Sequence, residues 1–188
     1  SSVTIDVAKM VARKDMVVKQ NNDGIQYLLK KNKVSFFHGR GAFVKAADGA
    51  YGIMVGGAAE EALVGNQIIV ATGSNARPLP GAPFDEEMIL SNDGALRIGA
   101  VPKKLGLIGS GVIGLEMGSV YARLGTQVTV VEYLDAITPG MDAEVAKTFQ
   151  RILGKQGLKF VLGAAVQSVT KTKTGATVSY KLKKNDSE

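Results

Sequence analysis

Three glycines form the clearest chemical motif of the sequence. Gly109, Gly111 and Gly114 have G-x-G-x-x-G spacing and directly follow the apolar run 105–108. Where a strand turns into a helix, the first glycine permits the turn and the second lets a pyrophosphate approach the backbone, while the third allows close helix packing. The helix N-terminus offers free N–H groups and a partial positive charge to the phosphates. The spacing therefore predicts a dinucleotide-binding loop.

The residues that follow the loop support this interpretation. Leu115, Val120 and Leu124 recur at helical spacing up to Gly125, a candidate C-cap. A kinase glycine-rich loop would continue into a second strand instead. The alternative is a βαβ unit whose glycines serve packing alone.

An acidic residue ends the next predicted strand, 127–132. Glu132 follows Gly109 by about twenty positions, where a dinucleotide-binding fold places a carboxylate on the ribose hydroxyls. This carboxylate would repel a 2′-phosphate, and no arginine occurs between Tyr133 and Glu144 to bind one. The sequence favours NAD over NADP.

Composition excludes several other kinds of site. The chain has 188 residues, a net charge of +6, no cysteine and one histidine, His38. Disulfide or thiolate chemistry and a standard zinc site are therefore excluded, and we expect no metal. The lysines are scattered without an aromatic cluster, which argues against nucleic acid, and no apolar run has the length of a membrane span. The motif predicts binding without a catalytic residue.

Periodicity and turn residues predict an α/β chain. Helices are expected over 6–33, as one helix or two, and over 143–155, with Asp142 as N-cap. A proline-rich connection between two domains is expected between Arg77 and Pro102. The predicted strands outside the glycine motif are 34–37, 42–45 and 51–55 around an Asp48-Gly49 turn, a buried strand at 67–71, and 159–161, 165–171 and 176–182.

Residues 109–125 and 128–132 closely resemble the dihydrolipoamide dehydrogenase family. The segments Ala71–Ser74, 77–81 and 24–34 fit the same family, so the resemblance covers essentially the whole chain. It implies three parts: an incomplete FAD-binding domain over 1–75, a linker over 76–100, and an NAD-binding domain over 101–188. The last is a Rossmann-like domain with a βαβ unit and a β-meander, lacking its final strand.

The resemblance also implies an activity. Members of the family contain FAD and oxidise dihydrolipoyl groups in 2-oxoacid dehydrogenase complexes, passing electrons from the dithiol through an enzyme disulfide and flavin to NAD. The implied partners are lipoyl domains and a second copy in a homodimer, with neither nucleic acid nor membrane. The implied location is the cytoplasm of bacteria or the mitochondrial matrix of eukaryotes.

The cofactor contacts are likewise implied by the resemblance. Glu116 matches a glutamate near the flavin and the nicotinamide pocket; its alternative role is a solvent-facing helix residue. The implied NAD-binding residues are Gly109, Ser110, Gly111, Val112, Ile113, Gly114, Leu115, Glu116, Glu132 and Val166. The implied FAD contacts are Gly41, Thr72, Gly73 and Ser74.

The sequence departs from the family pattern in three features. It contains no N-terminal FAD fingerprint, no redox cysteine pair and no C-terminal His–Glu pair, and His38 does not match the catalytic histidine. The resemblance thus implies a central fragment that by itself does not catalyse the lipoamide reaction. The alternatives are part of another flavoprotein, such as glutathione reductase or an NADH oxidase, and a non-catalytic NAD-binding module.

Overall fold

A computed structural model describes residues 4–45, 51–56 and 61–183. The chain forms two compact units. One comprises residues 13–75, and the other comprises residues 76–188 together with 1–12. Parallel and antiparallel sheets both occur with helices between strands, which confirms the α/β class.

The N-terminal half contains one long helix and a small antiparallel sheet. Helix α1 (Val7–Lys31) is continuous, so the sequence 21–24 does not divide it, and none of its residues is buried. The sheet has the order β1-β2-β3, with Phe43 of β1 opposite Ile53 of β2. Its strands are β1 (Arg40–Lys45), β2 (Tyr51–Gly56) and β3 (Glu61–Val64). The first two were predicted and β3 was not; the predicted Asp48-Gly49 turn lies outside the described residues.

Two predicted strands in this half are wrong. Residues 34–37 and 67–71 form neither strand nor helix, and the side chain of Ile69 is 91% exposed. An apolar, β-branched run becomes a strand only where a neighbour completes its backbone hydrogen bonds and a packed surface covers one face. Among the described residues, neither segment has a strand partner.

The second half is built around a parallel sheet. Its order is β4-β5-β6, with Leu107 opposite Val130 and Val131 opposite Val161. The elements are β4 (Lys104–Ile108), α3 (Val112–Arg123), β5 (Gln127–Val131), α4 (Ala143–Lys155) and β6 (Lys159–Val161). This confirms the predicted βαβ unit and the predicted helix over 143–155.

A two-stranded hairpin follows the parallel sheet. Strands β7 (Ala164–Thr172) and β8 (Gly175–Leu182) pair antiparallel, with a bulge between Val166 and Ser168. The strands lie where the sequence predicted them. The sequence predicted a β-meander in this half. In the described part of the chain, β7 and β8 instead form a hairpin of two strands.

The core of the second half lies where α3 and α4 cover the sheet. It comprises Leu115, Tyr121, Val128, Val130, Ile137, Ala146, Leu153 and Leu158. Gly118 lets α3 approach the sheet closely, because an added Cβ would lie 2.6 Å from Cδ1 of Leu107. The glycine-rich loop is consequently anchored at both ends, by β4 and by a helix packed on the sheet.

The proline-rich segment is tied to the same half. The Tyr121 hydroxyl on α3 donates to the carbonyl oxygen of Ala95 at 2.6 Å, at the end of α2 (Asn92–Ala95), a short helix that was not predicted. Asp85 pairs with Lys171 of β7. This cation and the backbone N–H groups of Met88, Glu87 and Ile89 hold the pKa of Asp85 well below its usual range.

Across the described residues, we find no helix with both the length and the apolar character needed to traverse a lipid bilayer.

Replacing Asp142 with alanine is expected to destabilise α4. The Asp142 carboxylate accepts hydrogen bonds from the N–H groups of Glu144 and Val145, both at 3.0 Å. Loss of such a cap costs about 1 kcal/mol. Urea denaturation of Asp142→Ala should show this loss of free energy of unfolding, whereas Asp142→Asn, which keeps an acceptor oxygen, should stay within about 0.5 kcal/mol of the original. Equal losses in the two variants would contradict the capping role.

Candidate dinucleotide-binding site

The glycine-rich loop joins the ends of two parallel strands. Gly109 follows β4 with φ +93°, and its N–H donates to the carbonyl oxygen of Val131 at 2.8 Å. Gly111 is the N-cap of α3, and Gly114 brings the helix so near the turn that an added Cβ would lie 3.3 Å from the Gly109 oxygen. The first and third glycines therefore have the conformation and packing that their spacing predicted.

The start of α3 is open to a ligand. Within the described residues, the N-cap Gly111 provides no side-chain acceptor for the N-terminal N–H groups of this helix. A Cβ added at Gly109 or Gly111 would meet nothing within 4 Å. Uncapped N–H groups beside open space suit an anionic group such as a pyrophosphate. The residues present thus fit a dinucleotide.

Glu132 lies directly beside the loop. It follows β5, is only 7% exposed, and accepts three hydrogen bonds through its carboxylate. The Ser110 N–H and hydroxyl both donate to Oε2 at 2.7 Å, and the Leu134 N–H donates to Oε1 at 2.8 Å. The structure therefore brings the predicted loop and the predicted carboxylate into direct contact.

The backbone of Glu132 is held as firmly as its side chain. Its N–H donates to Val161 at the end of β6, and its carbonyl oxygen accepts from Ala164 at the start of β7, at 2.9 and 2.8 Å. Burial alone would raise the pKa of the Glu132 carboxyl. The bonds from Leu134 and Ser110 outweigh burial and hold this pKa below its ordinary value. The group is therefore an anion at neutral pH.

Ser110 is enclosed between two segments. Its side chain is 0% exposed, and its carbonyl oxygen accepts the N–H of Thr138 at 3.1 Å. Thr138 has φ +48°, unusual for a β-branched residue, and its buried hydroxyl has no hydrogen-bond partner in the described part of the chain. Neither Thr138 nor Leu134 stood out in the sequence. Their contacts, to Ser110 and to Glu132 respectively, use backbone N–H groups, which every residue except proline possesses.

The other predicted NAD-binding residues have different environments. Val112 and Ile113 are exposed at the start of α3, and Glu116 is exposed one turn later. Leu115 is fully buried in the core, and its N–H donates to the carbonyl oxygen of Gly111 at 3.1 Å. Val166 is half-buried on β7, opposite Tyr180. Their contacts with NAD remain predictions.

The predicted FAD contacts all lie in the unit formed by residues 13–75. Gly41 is exposed on β1 opposite Val55. Residues 72–74 are exposed outside any helix or strand, with Gly73 at φ +72°. Their role in binding a flavin also remains a prediction.

The model of the pyridine nucleotide-disulphide oxidoreductase family matches residues 3–188. The chain belongs to this family. A protein of Cupriavidus necator named dihydrolipoyl dehydrogenase is 51% identical over 95% of the chain, and the mitochondrial dihydrolipoyl dehydrogenase 1 of Arabidopsis thaliana is 47% identical over 95%. These matches confirm the resemblance found in the sequence.

The match covers only part of each relative. The chain spans 37% of the Cupriavidus protein and 35% of the Arabidopsis protein, about a third of their length. The crystal structure of LpdA from Mycobacterium tuberculosis superposes with a TM-score of 0.83 at 29% identity, covering 95% of this chain and 40% of that one. The fold is therefore that of the family, over a part of its members' length.

Replacing Glu132 with glutamine is expected to reduce stability at neutral pH. The glutamine amide would set its own N–H groups against donor N–H groups of the loop or of Leu134, a loss of about 1–3 kcal/mol in free energy of unfolding. Urea denaturation at pH 7 measures this difference.

The difference in free energy of unfolding between the original chain and Glu132→Gln should depend on pH. Because the folded-state pKa of Glu132 lies below its ordinary value of 4.5, its contribution is complete above that pH. The contribution is lost as the pH falls through the folded-state pKa. The stability difference between the original chain and Glu132→Gln should hence be constant from pH 7 to pH 5 and shrink at lower pH; a difference that grows on acidification would contradict the assignment.

Alanine at Gly109 should mainly reduce stability, whereas alanine at Gly111 should mainly reduce nucleotide binding. Gly109→Ala forces a side chain into the left-handed region and should cost about 1–2 kcal/mol in free energy of unfolding. Gly111 has φ −66°, so Gly111→Ala should change stability by less than about 1 kcal/mol. Its methyl group would nevertheless occupy the open space at the loop and weaken NADH binding about tenfold or more. Urea denaturation and calorimetric titration with NADH separate the two effects.

Proposed function

We propose that this chain is the nucleotide-binding part of an NAD-dependent dihydrolipoyl dehydrogenase, a flavoprotein that oxidises protein-bound dihydrolipoamide to lipoamide while reducing NAD. The observation that carries the proposal is the buried, ionised Glu132 held against the glycine-rich loop at the end of β5. The names of the relatives supply the reaction class.

The hydrogen-bonding capacity of Glu132 suits a ribose. A carboxylate has about four acceptor positions, and three are used by Ser110 and Leu134. A ribose hydroxyl would take the remaining position, where the Tyr133 N–H also interacts with the carboxylate. The negative charge would repel a 2′-phosphate at the same place, so the site should prefer NAD.

The chain's residues bind and orient the nucleotide, and the cofactors carry the redox chemistry. When bound in the proposed enzyme, FAD and NAD would supply the redox chemistry that takes two electrons from the dithiol to NAD by way of an enzyme disulfide. The uncapped start of α3 would hold the pyrophosphate, and Glu132 would bind the adenosine ribose. Gly41 and residues 72–74 would contribute backbone contacts to FAD, and Glu116 would contribute to binding the nicotinamide.

We extend the proposal to the whole protein. It would act on lipoyl domains of 2-oxoacid dehydrogenase complexes as a homodimer, in a bacterial cytoplasm or a mitochondrial matrix. The 188 residues contain no cysteine, so they hold no redox disulfide. Alone they should bind nucleotide without oxidising dihydrolipoamide.

A second candidate is the nucleotide-binding part of an NADP-dependent reductase. The Nζ of Lys183 lies 3.5 Å from the ring centroid of Tyr133, the residue after Glu132. A cation beside the ribose-reading residue is a feature that could bind a 2′-phosphate. The buried anionic Glu132 opposes this function, and affinity for the two nucleotides distinguishes the candidates.

Calorimetric titration with NADH and NADPH tests the proposal. We expect the chain to bind NADH more tightly than NADPH, and Glu132→Ala to weaken NADH binding about tenfold or more, the effect of one charge-assisted hydrogen bond. Glu144→Ala, which removes an exposed carboxylate from the first turn of α4, should leave NADH binding unchanged. Circular dichroism establishes that each variant is folded at the titration temperature.

Two outcomes would overturn the proposal. Tighter binding of NADPH, lost on Lys183→Ala, would support the NADP-dependent reductase. Absence of NADH binding by the folded chain would refute a nucleotide site formed by these residues alone.

A further inference from the structure

Ser110 has an unusual place in the loop. Among the three residues of the turn it alone has a polar side chain, yet that side chain is completely enclosed. A nucleotide approaching the open space at Gly109 and Gly111 would not reach its hydroxyl. The predicted NAD contact of Ser110 is thus restricted in this structure to an indirect one.

The enclosed hydroxyl has a single acceptor, the Oε2 atom of Glu132. The Ser110 N–H donates to the same oxygen, both at 2.7 Å. Two donors from one residue converge on one carboxylate oxygen, which fixes the direction of the carboxylate more tightly than either bond alone. The remaining bond, from Leu134, is made to the other oxygen.

Ser110 is itself fixed from the opposite side. Its carbonyl oxygen accepts the N–H of Thr138, a residue held in a left-handed conformation within the turn that leads to α4. A β-branched residue adopts this conformation at a cost, and it persists only where the surrounding structure imposes it. The Ser110 peptide is therefore a rigid support for the carboxylate.

We propose that Ser110 is a positioning residue, whose hydroxyl holds the Glu132 carboxylate in the orientation that accepts a ribose hydroxyl. This inference rests on the proposed function of Glu132. It adds that the Ser110 hydroxyl is the group of the loop that affects nucleotide affinity. Without the hydroxyl, Glu132 keeps its charge and two backbone donors but loses a restraint on Oε2. The variant chain should still disfavour NADPH while binding NADH more weakly.

A double-mutant cycle between Ser110 and Glu132 tests the inference. Calorimetry with NADH is performed on the original chain, Ser110→Ala, Glu132→Ala and the double variant. Ser110→Ala should raise the Kd for NADH about three- to tenfold, as expected for one hydrogen bond. In the Glu132→Ala background the same substitution should have no further effect, because Ser110 acts through Glu132.

Ser119→Ala is the matched control. Ser119 lies on α3, the helix that follows the loop, and its hydroxyl donates to Gln156 at 3.5 Å rather than to Glu132. Its substitution should leave the Kd for NADH unchanged. If Ser110→Ala fails to fold, Ser110→Cys replaces it, since a thiol has nearly the same size and is a weak donor.

The outcomes separate this inference from the proposed function. An unchanged Kd in Ser110→Ala, with NADH binding by the original chain intact and sensitive to Glu132→Ala, would overturn the role of Ser110 alone. The role of Ser110 would also be overturned if Ser110→Ala changed the Kd for NADH equally in the original chain and in the Glu132→Ala background. A folded original chain that does not bind NADH, or binds it independently of Glu132, would overturn both.

Discussion

A buried carboxylate organises the second half of this chain. Glu132 joins three segments that are remote in sequence: the loop between β4 and α3, the residues after β5, and the β6–β7 junction. An ionised group is tolerated at such a position only when hydrogen bonds replace its lost water. Here the loop and the backbone provide them, so the residue that would read the ribose also fixes the shape of the phosphate-binding turn.

This arrangement prepares the site before a ligand arrives. The turn conformation, the uncapped start of α3 and the direction of the carboxylate are all set within the protein. Preorganisation lowers the ordering cost of binding, so more of the interaction energy appears as affinity. It also couples stability to recognition, since a substitution that loosens Glu132 affects the turn as well.

A comparison of the two halves shows that an apolar segment forms a strand only where neighbouring strands and helices pack against it. Residues 67–71 and 127–131 are both short and rich in β-branched side chains. The second segment became β5 because β4 and β6 pair with it on both sides while helices cover the sheet. The first has no strand partner among the described residues, and its side chains stay exposed apart from the half-buried Ile68. Composition predicted a strand for both segments, and the prediction was right only for residues 127–131.

The sequence by itself determined the features that depend on local spacing. The G-x-G-x-x-G turn, the helix that follows it and the Asp142 cap were readable because each is imposed by backbone conformation or by positions a few residues apart. The acid after β5 was readable because it follows the glycine turn by about twenty positions. Only the tertiary structure decided what depends on distant segments: the burial of Glu132, its bonds to Ser110, the support from Thr138, and the failure of residues 34–37 and 67–71 to form strands. These features are hydrogen bonds and burial between remote segments, and side-chain type alone does not encode which remote group will be the partner.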